Sequence, residues 1–238
     1  MEGRFNQKNL ENKRYSVLID EQIDARILVV TFGGKETNLS FPITDYMRSL
    51  DTFPVTKVFI RDFEHSWYLN GIPGVSNGPS ETLFYLKKLI SRFNPSKTIF
   101  IGSTFGGYAA MLYGNMLKVD EVHAFSSQSF LNGWNRLTHL DGRWKNYIRR
   151  LNPNASDFLD LKKYFRENRS TNTNFHMYWD CTNHLDSVHA SRMNFSNFYL
   201  HGYPFGGPTI MKSLFENGEL QNIVRNFVLD SYSHSMAS

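Results

Sequence analysis

Residues 98–110 read TIFIGSTFGGYAA, from Thr98 to Ala110. Four apolar or β-branched residues come first, then a glycine-flanked turn, then an alanine-rich start that suits a helix. Gly102, Thr104 and Gly106 stand as G-x-T-x-G, with Gly107 following. A sharp strand-to-helix turn needs small residues on both sides of its central position, so that strand and helix can approach. It presents that central side chain at the carboxyl edge of a sheet and leaves the first N–H groups of the helix free. A phosphate-binding loop is disfavoured, because no lysine follows the glycines.

Working outward, apolar runs alternate with helical patterns. Arg26–Phe32, Lys57–Asp62, Thr98–Ile101, Glu121–Ser126, Phe175–Asp180 and Asn197–His201 read as strands. Glu81–Phe93 places Leu83, Leu86, Leu89, Ile90 and Phe93 on one helical face, and Asn94-Pro95 stops it. Gly107–Leu117, Pro208–Asn217 and Glu219–Val228 read as further helices. Strands separated by helices predict an α/β class domain with a mostly parallel sheet covered on both faces. The pattern weakens between residues 130 and 170. That segment reads either as a helical insertion above the sheet or as a peripheral helix pair. No linker or repeat divides the 238 residues, so one domain spanning 1–238 is expected.

Several pieces together resemble the α/β-hydrolase superfamily, in particular bacterial members with a GSSxGGYAA elbow. GSTFGGYAA is the first. VVTFGG (29–34) is similar to that group's strand and glycine turn. RDFEHSWYLNGIPG (61–74) resembles its D-x-x-x-x-W-Y-x-x-G segment, and HAFSSQSFL (123–131) a strand end. LDSVHA (185–190) resembles a D-x-x-H-A element, and NGEL (217–220) the closing helix. The likeness runs from about residue 27 to 228.

What the resemblance implies is an ester or acyl hydrolase. Thr104 falls on the nucleophile and Asp186 on the acid that orients a histidine base. The N–H of Phe105 and one at Gly34 or Lys35 would form the oxyanion hole. The base position falls on Pro208, which has no proton chemistry. His201 ends the last strand and keeps the order nucleophile, acid, base, so it is the substitute candidate; otherwise it is a half-buried histidine with a local partner. His184 and His189, flanking Asp186, are further candidates. Threonine keeps a hydroxyl, but its extra methyl stiffens χ1 and crowds the attack path. Two departures at one triad leave a second reading open: a non-catalytic pseudo-hydrolase that binds a ligand or partner. His65 with Trp67 and Tyr68 reads as either a pocket border or loop packing.

The bulk numbers narrow the partners. Charged residues make up 20% and net charge is +4, with basic residues scattered in short pairs rather than in a stripe, so no nucleic-acid partner is expected. No apolar run reaches 18 residues and the first residues lack a signal pattern, so no membrane contact and a cytoplasmic location are expected. The one cysteine, Cys181, allows no intramolecular disulfide and reads as a buried or half-buried, inert thiol. Asp180, His184 and Asp186 do not have a metal-ligand spacing. No cofactor and no metal are expected, and the partner would be a small-molecule or acylated substrate. The end, SYSHSMAS, reads as a frayed tail.

Overall fold

The computed structural model describes residues 1–34, 46, 50, 51 and 53–235, with side chains described to residue 228. In chain order the strands are β1 (Glu2–Arg4), β2 (Val17–Asp20), β3 (Ile27–Phe32), β4 (Val55–Ile60), β5 (Lys97–Ser103), β6 (Glu121–Phe125), β7 (Asn174–Asp180) and β8 (Phe198–Tyr203). The described helices are α1 (Gln7–Glu11), α2 (Pro79–Phe93), α3 (Phe105–Leu117), α4 (Gly133–Thr138), α5 (Lys145–Ile148), α6 (Leu161–Asn168), α7 (His184–Arg192), α8 (Ile210–Glu216) and α9 (Glu219–Ser235).

The strands form one sheet in the order β1-β2-β4-β3-β5-β6-β7-β8. Every neighbouring pair is parallel except β2 with β4. Successive side chains of a strand point to opposite faces, and the core splits accordingly. Leu28, Val30, Phe32 and Phe100 join one cluster with α3 residues such as Tyr108 and Leu112. Ile27, Val29, Ile99 and Ile101 join the other, under Met211 and Leu214 of α8 and Val224 and Phe227 of α9. The sheet is therefore covered on both faces.

The expected strands are all present, with no end shifted by more than two residues. β1 and β2 were not foreseen, because runs of three and four residues give too little periodicity to read. The expected helix at Pro208 begins instead as a 3₁₀ turn, Gly207–Thr209, that leads into α8. The expected frayed end is helical as far as Ser235, because α9 continues. Among the described residues, no helix is long and apolar enough to cross a membrane.

Candidate active site

The site is built where β5 turns into α3. Thr104 has φ 49° and ψ −109°, a backbone conformation that a β-branched residue rarely adopts. Its N–H donates to the Phe125 carbonyl of the next strand at 2.8 Å, which pins the turn to the sheet. The glycines are there for clearance. A Cβ on Gly102 would lie 2.1 Å from the Gly106 carbonyl oxygen, and one on Gly106 would lie 2.1 Å from the Phe32 carbonyl oxygen and 2.6 Å from that of Gly33. Strand, turn and helix thus meet backbone to backbone, beside the end of β3.

Thr104 is 8% exposed at this corner. Phe105 opens α3, so its N–H has no acceptor earlier in the helix. Gly33, whose N–H bonds the Ile60 carbonyl at 2.9 Å, carries the chain into buried Gly34 beside the elbow. Lys35, the other oxyanion candidate, lies outside the described residues.

The segment 61–74 forms one wall. His65, Trp67 and Tyr68 all take positive φ, at 55°, 56° and 60°. Asp62 holds this unfavourable path by accepting from the N–H groups of Glu64 at 3.0 Å, Ser66 at 2.5 Å and Tyr68 at 3.2 Å. Burial pushes its carboxyl up, and those hydrogen bonds oppose the rise. The Tyr68 hydroxyl lies 3.0 Å from the Gly33 carbonyl oxygen and 2.8 Å from that of Ile60, so it ties the wall to the β3 turn. The Trp67 indole donates to Gln128 at 2.9 Å. These contacts explain the D-x-x-x-x-W-Y pattern: an anchor, a wall and a tie.

Rings gather over the first residue of α3. Phe105 has Trp67 at 4.2 Å, Trp144 at 5.1 Å, and His65 and Tyr147 at 6.1 Å between centroids. Trp144 and Tyr147 come from the 130–170 segment, which carries α4, α5, a 3₁₀ turn at Pro153–Phe158, and α6. The segment therefore reaches the elbow. Nδ1 of His65 is buried and has no hydrogen-bond partner among the described residues.

The structure does not assemble the expected acid–base pair. Asp186 sits in the first turn of α7 and is 5% exposed, but its Oδ1 accepts from Arg143 Nη1 at 3.0 Å, not from a histidine. Burial pushes its carboxyl above the usual range, with Arg143 offsetting part of the rise. Its Oδ2 is buried with no hydrogen-bond partner among the described residues.

His201 is separated from Thr104 by the sheet itself. It lies opposite Tyr178, which lies opposite Phe125, which lies opposite Ser103. Three strand spacings, about 14 Å, stand between them. Its Nε2 lies 3.2 Å from His176 Nδ1, so His201 is a half-buried histidine with a local partner.

His184 is exposed. His189 is fully buried and accepts the Ser129 N–H on Nδ1 at 3.0 Å, so its Nε2–H donates to Asp141 at 3.1 Å. Pro208 stands in a turn held from below: the Gly207 N–H donates to Asp180 at 2.8 Å, and the Ser126 hydroxyl donates to the Gly207 carbonyl at 2.9 Å. Cys181 is exposed, neither buried nor half-buried, because it is the first residue past β7. Arg143 and Asp141, which hold the acid and His189, were not foreseen, since they sit in a segment with little periodicity.

No protein-family model matches the chain, and no curated protein matches it. Solved structures do. The capsule O-acetyltransferase of Neisseria meningitidis serogroup A is 17% identical with a TM-score of 0.59, over 88% of this chain and 90% of that one. MGS-MChE2, an α/β hydrolase enzyme from the metagenome of sediments from the lagoon of Mar Chica, Morocco, is 14% identical with a TM-score of 0.57, over 94% and 97%. Brefeldin A esterase, a bacterial homologue of human hormone-sensitive lipase, is 17% identical with a TM-score of 0.56, over 92% and 71%. At such identities the likeness concerns architecture. With its sheet order, its single antiparallel pair and its strained turn at Thr104, the chain has the α/β-hydrolase fold.

Proposed function

We propose that this protein binds an acyl- or ester-bearing small molecule at the Thr104 elbow, and that its hydrolytic chemistry is impaired. The observation that carries the reading is the fate of the acid. Asp186 pairs with Arg143, while the turn that would bear a base bears Pro208. Without a general base a hydroxyl nucleophile forfeits about 10²–10⁴-fold in rate. The acyl class is supported by the fold's neighbours, which include an O-acetyltransferase and an esterase. It is also supported by the aromatic wall above an open helix N-terminus, which suits an apolar chain ending in a carbonyl.

A second reading is a slow ester or acyl hydrolase. The strained φ at Thr104 favours it, since a binding site alone has no need of that conformation. Here Thr104 would be the nucleophile, and Phe105 and Gly34 the oxyanion donors.

Hydrolysis of p-nitrophenyl acetate and butyrate separates the two. For an impaired site, wild type and Thr104→Ala release p-nitrophenol at rates within about twofold of each other, and Thr104→Ser/Pro208→His gains at least tenfold. A wild-type rate about 10²-fold above Thr104→Ala would replace the first reading with the second. Binding is read separately, by saturation-transfer NMR with a methyl ester. The signal should saturate with wild type and weaken in Trp144→Ala; no signal with wild type would remove the acyl ligand.

A further inference from the structure

Across β6, β7 and β8, on the face covered by α9, the sheet carries a second polar cluster. His123 lies opposite His176, and Tyr178 opposite His201. Residues two apart share a face, so Glu121, His123, His176, Tyr178 and His201 stand together. With Phe227 and other residues of α9 as one wall, they line a cavity of about 410 Å³.

One donor atom from each of Glu121, His123 and His176 lies within 4.8 Å of the others. The His123 and His176 rings are stacked, 4.7 Å apart between centroids and 8° between planes, so the His176 ring must turn for both lone pairs to meet one ion. His123 Nε2 is 3.1 Å from Glu121 Oε2, and its Nδ1 is 3.1 Å from the Tyr178 hydroxyl. His176 Nδ1 is 3.2 Å from His201 Nε2. Each imidazole therefore has one nitrogen held by a neighbour that does not itself belong to the trio. Metal-binding histidines are commonly held in this way, with the far nitrogen fixing ring and tautomer.

We propose that Glu121, His123 and His176 form a binding site for a divalent transition metal of the zinc class, with Tyr178 and His201 as outer partners. Two imidazoles and a carboxylate suit zinc better than magnesium or calcium, which take oxygen ligands. Zinc–nitrogen bonds of about 2.1 Å place tetrahedral donors about 3.4 Å apart, so the trio must close inward. The half-buried His176 ring at the cavity can supply that movement. On binding, the metal takes the place of the proton between His123 Nε2 and Glu121 Oε2. That proton passes to His123 Nδ1, which then donates to the Tyr178 oxygen, so the ring stays neutral. Lys97 keeps Glu121 Oε1 at 2.6 Å, leaving Oε2 for the metal. No linear motif announces this site, because the register of two strands brings the donors together.

The test is calorimetric titration of the full chain with zinc sulfate. Wild type should bind one equivalent and melt at a higher temperature with zinc than without. His176→Phe, which keeps a ring in the stack, should lose at least tenfold in affinity, and Tyr178→Phe about tenfold. The surface variant His184→Ala should bind as wild type does. A readout independent of these substitutions is the visible spectrum of wild type with cobalt(II), which should show the intense bands of a four-coordinate site. No saturable zinc binding, equal affinity in His176→Phe, loss in the surface variant, or a six-coordinate cobalt spectrum would each overturn the proposal.

Discussion

At Thr104 the side chain and the backbone want different things. The elbow demands φ 49°, and a β-branched residue there carries about 1–3 kcal/mol of strain. Glycine adopts this region freely, at an entropic cost of about 0.5–1 kcal/mol. Thr104→Gly is therefore expected to stabilise the fold by about 1 kcal/mol in urea unfolding, the signature of strain retained for a site. A loss of stability would mean that the threonine's packing outweighs its strain. Gly106 is the opposite case: alanine there meets backbone oxygen at 2.1 Å and should be severely destabilising, whereas Gly142, with open space around it, should accept alanine. The elbow was legible in the sequence because its demands are local, one special φ and three clearances within six residues. The substitute base was not. The partner of His201 is set by strand register, which puts it beside His176 rather than Thr104.

Among the elements, the strands and long helices could be read from period alone, and the insertion between β6 and β7 could not. Its helices run to only six, four and eight residues. Leu161, Phe165 and Trp144 pack on the core, and long-range polar contacts add to that: Arg143 to Asp186 at 3.0 Å, Asp141 to His189 at 3.1 Å, and Arg192 to Asp160 at 2.9 Å. No hydrophobic period reports such contacts. Arg143 also donates to its neighbour Asp141 through Nε and Nη2, each at 3.0 Å, so one guanidinium serves two nearly buried carboxylates. Removing one partner of a buried pair leaves the other charge uncompensated, which costs about 3–5 kcal/mol when burial is complete. Arg143 is 27% exposed, so Arg143→Ala is expected to cost somewhat less, about 2–3 kcal/mol. Amide exchange should quicken first across residues 133–168. Adding Asp186→Asn should recover part of the loss. A cost below about 0.5 kcal/mol would place the pair among ordinary surface bridges.

Across the whole molecule, the same contacts make stability depend on pH, and His189 is the clearest contributor. It joins α7 to the insertion, and the groups facing it are Asp141, Arg143 and Asp186. Burial holds its pKa below the usual histidine value, with Asp141 opposing the shift and Arg143 adding to it. Below about pH 6.5 the unfolded chain takes up a proton here that the folded chain refuses. Stability must then fall as pH falls, by up to about 1.4 kcal/mol per unit, until the folded ring titrates. Asp141 acts elsewhere on the scale. Hydrogen bonds from His189 and Arg143 overcome its burial and keep it ionised well below the usual range, so its contribution is lost only in stronger acid. Asp186, raised by burial, works in the opposite sense, but it does so with or without His189. The comparison is therefore wild type against His189→Gln, whose amide offers both an acceptor for Ser129 and a donor for Asp141. Urea midpoints between pH 7 and pH 5 should fall more steeply for wild type, by the equivalent of up to one proton. A shallower fall for wild type than for His189→Gln would mean that His189 is already charged in the fold and that the insertion is held by an ion pair, and equal slopes would mean that its ring titrates alike folded and unfolded.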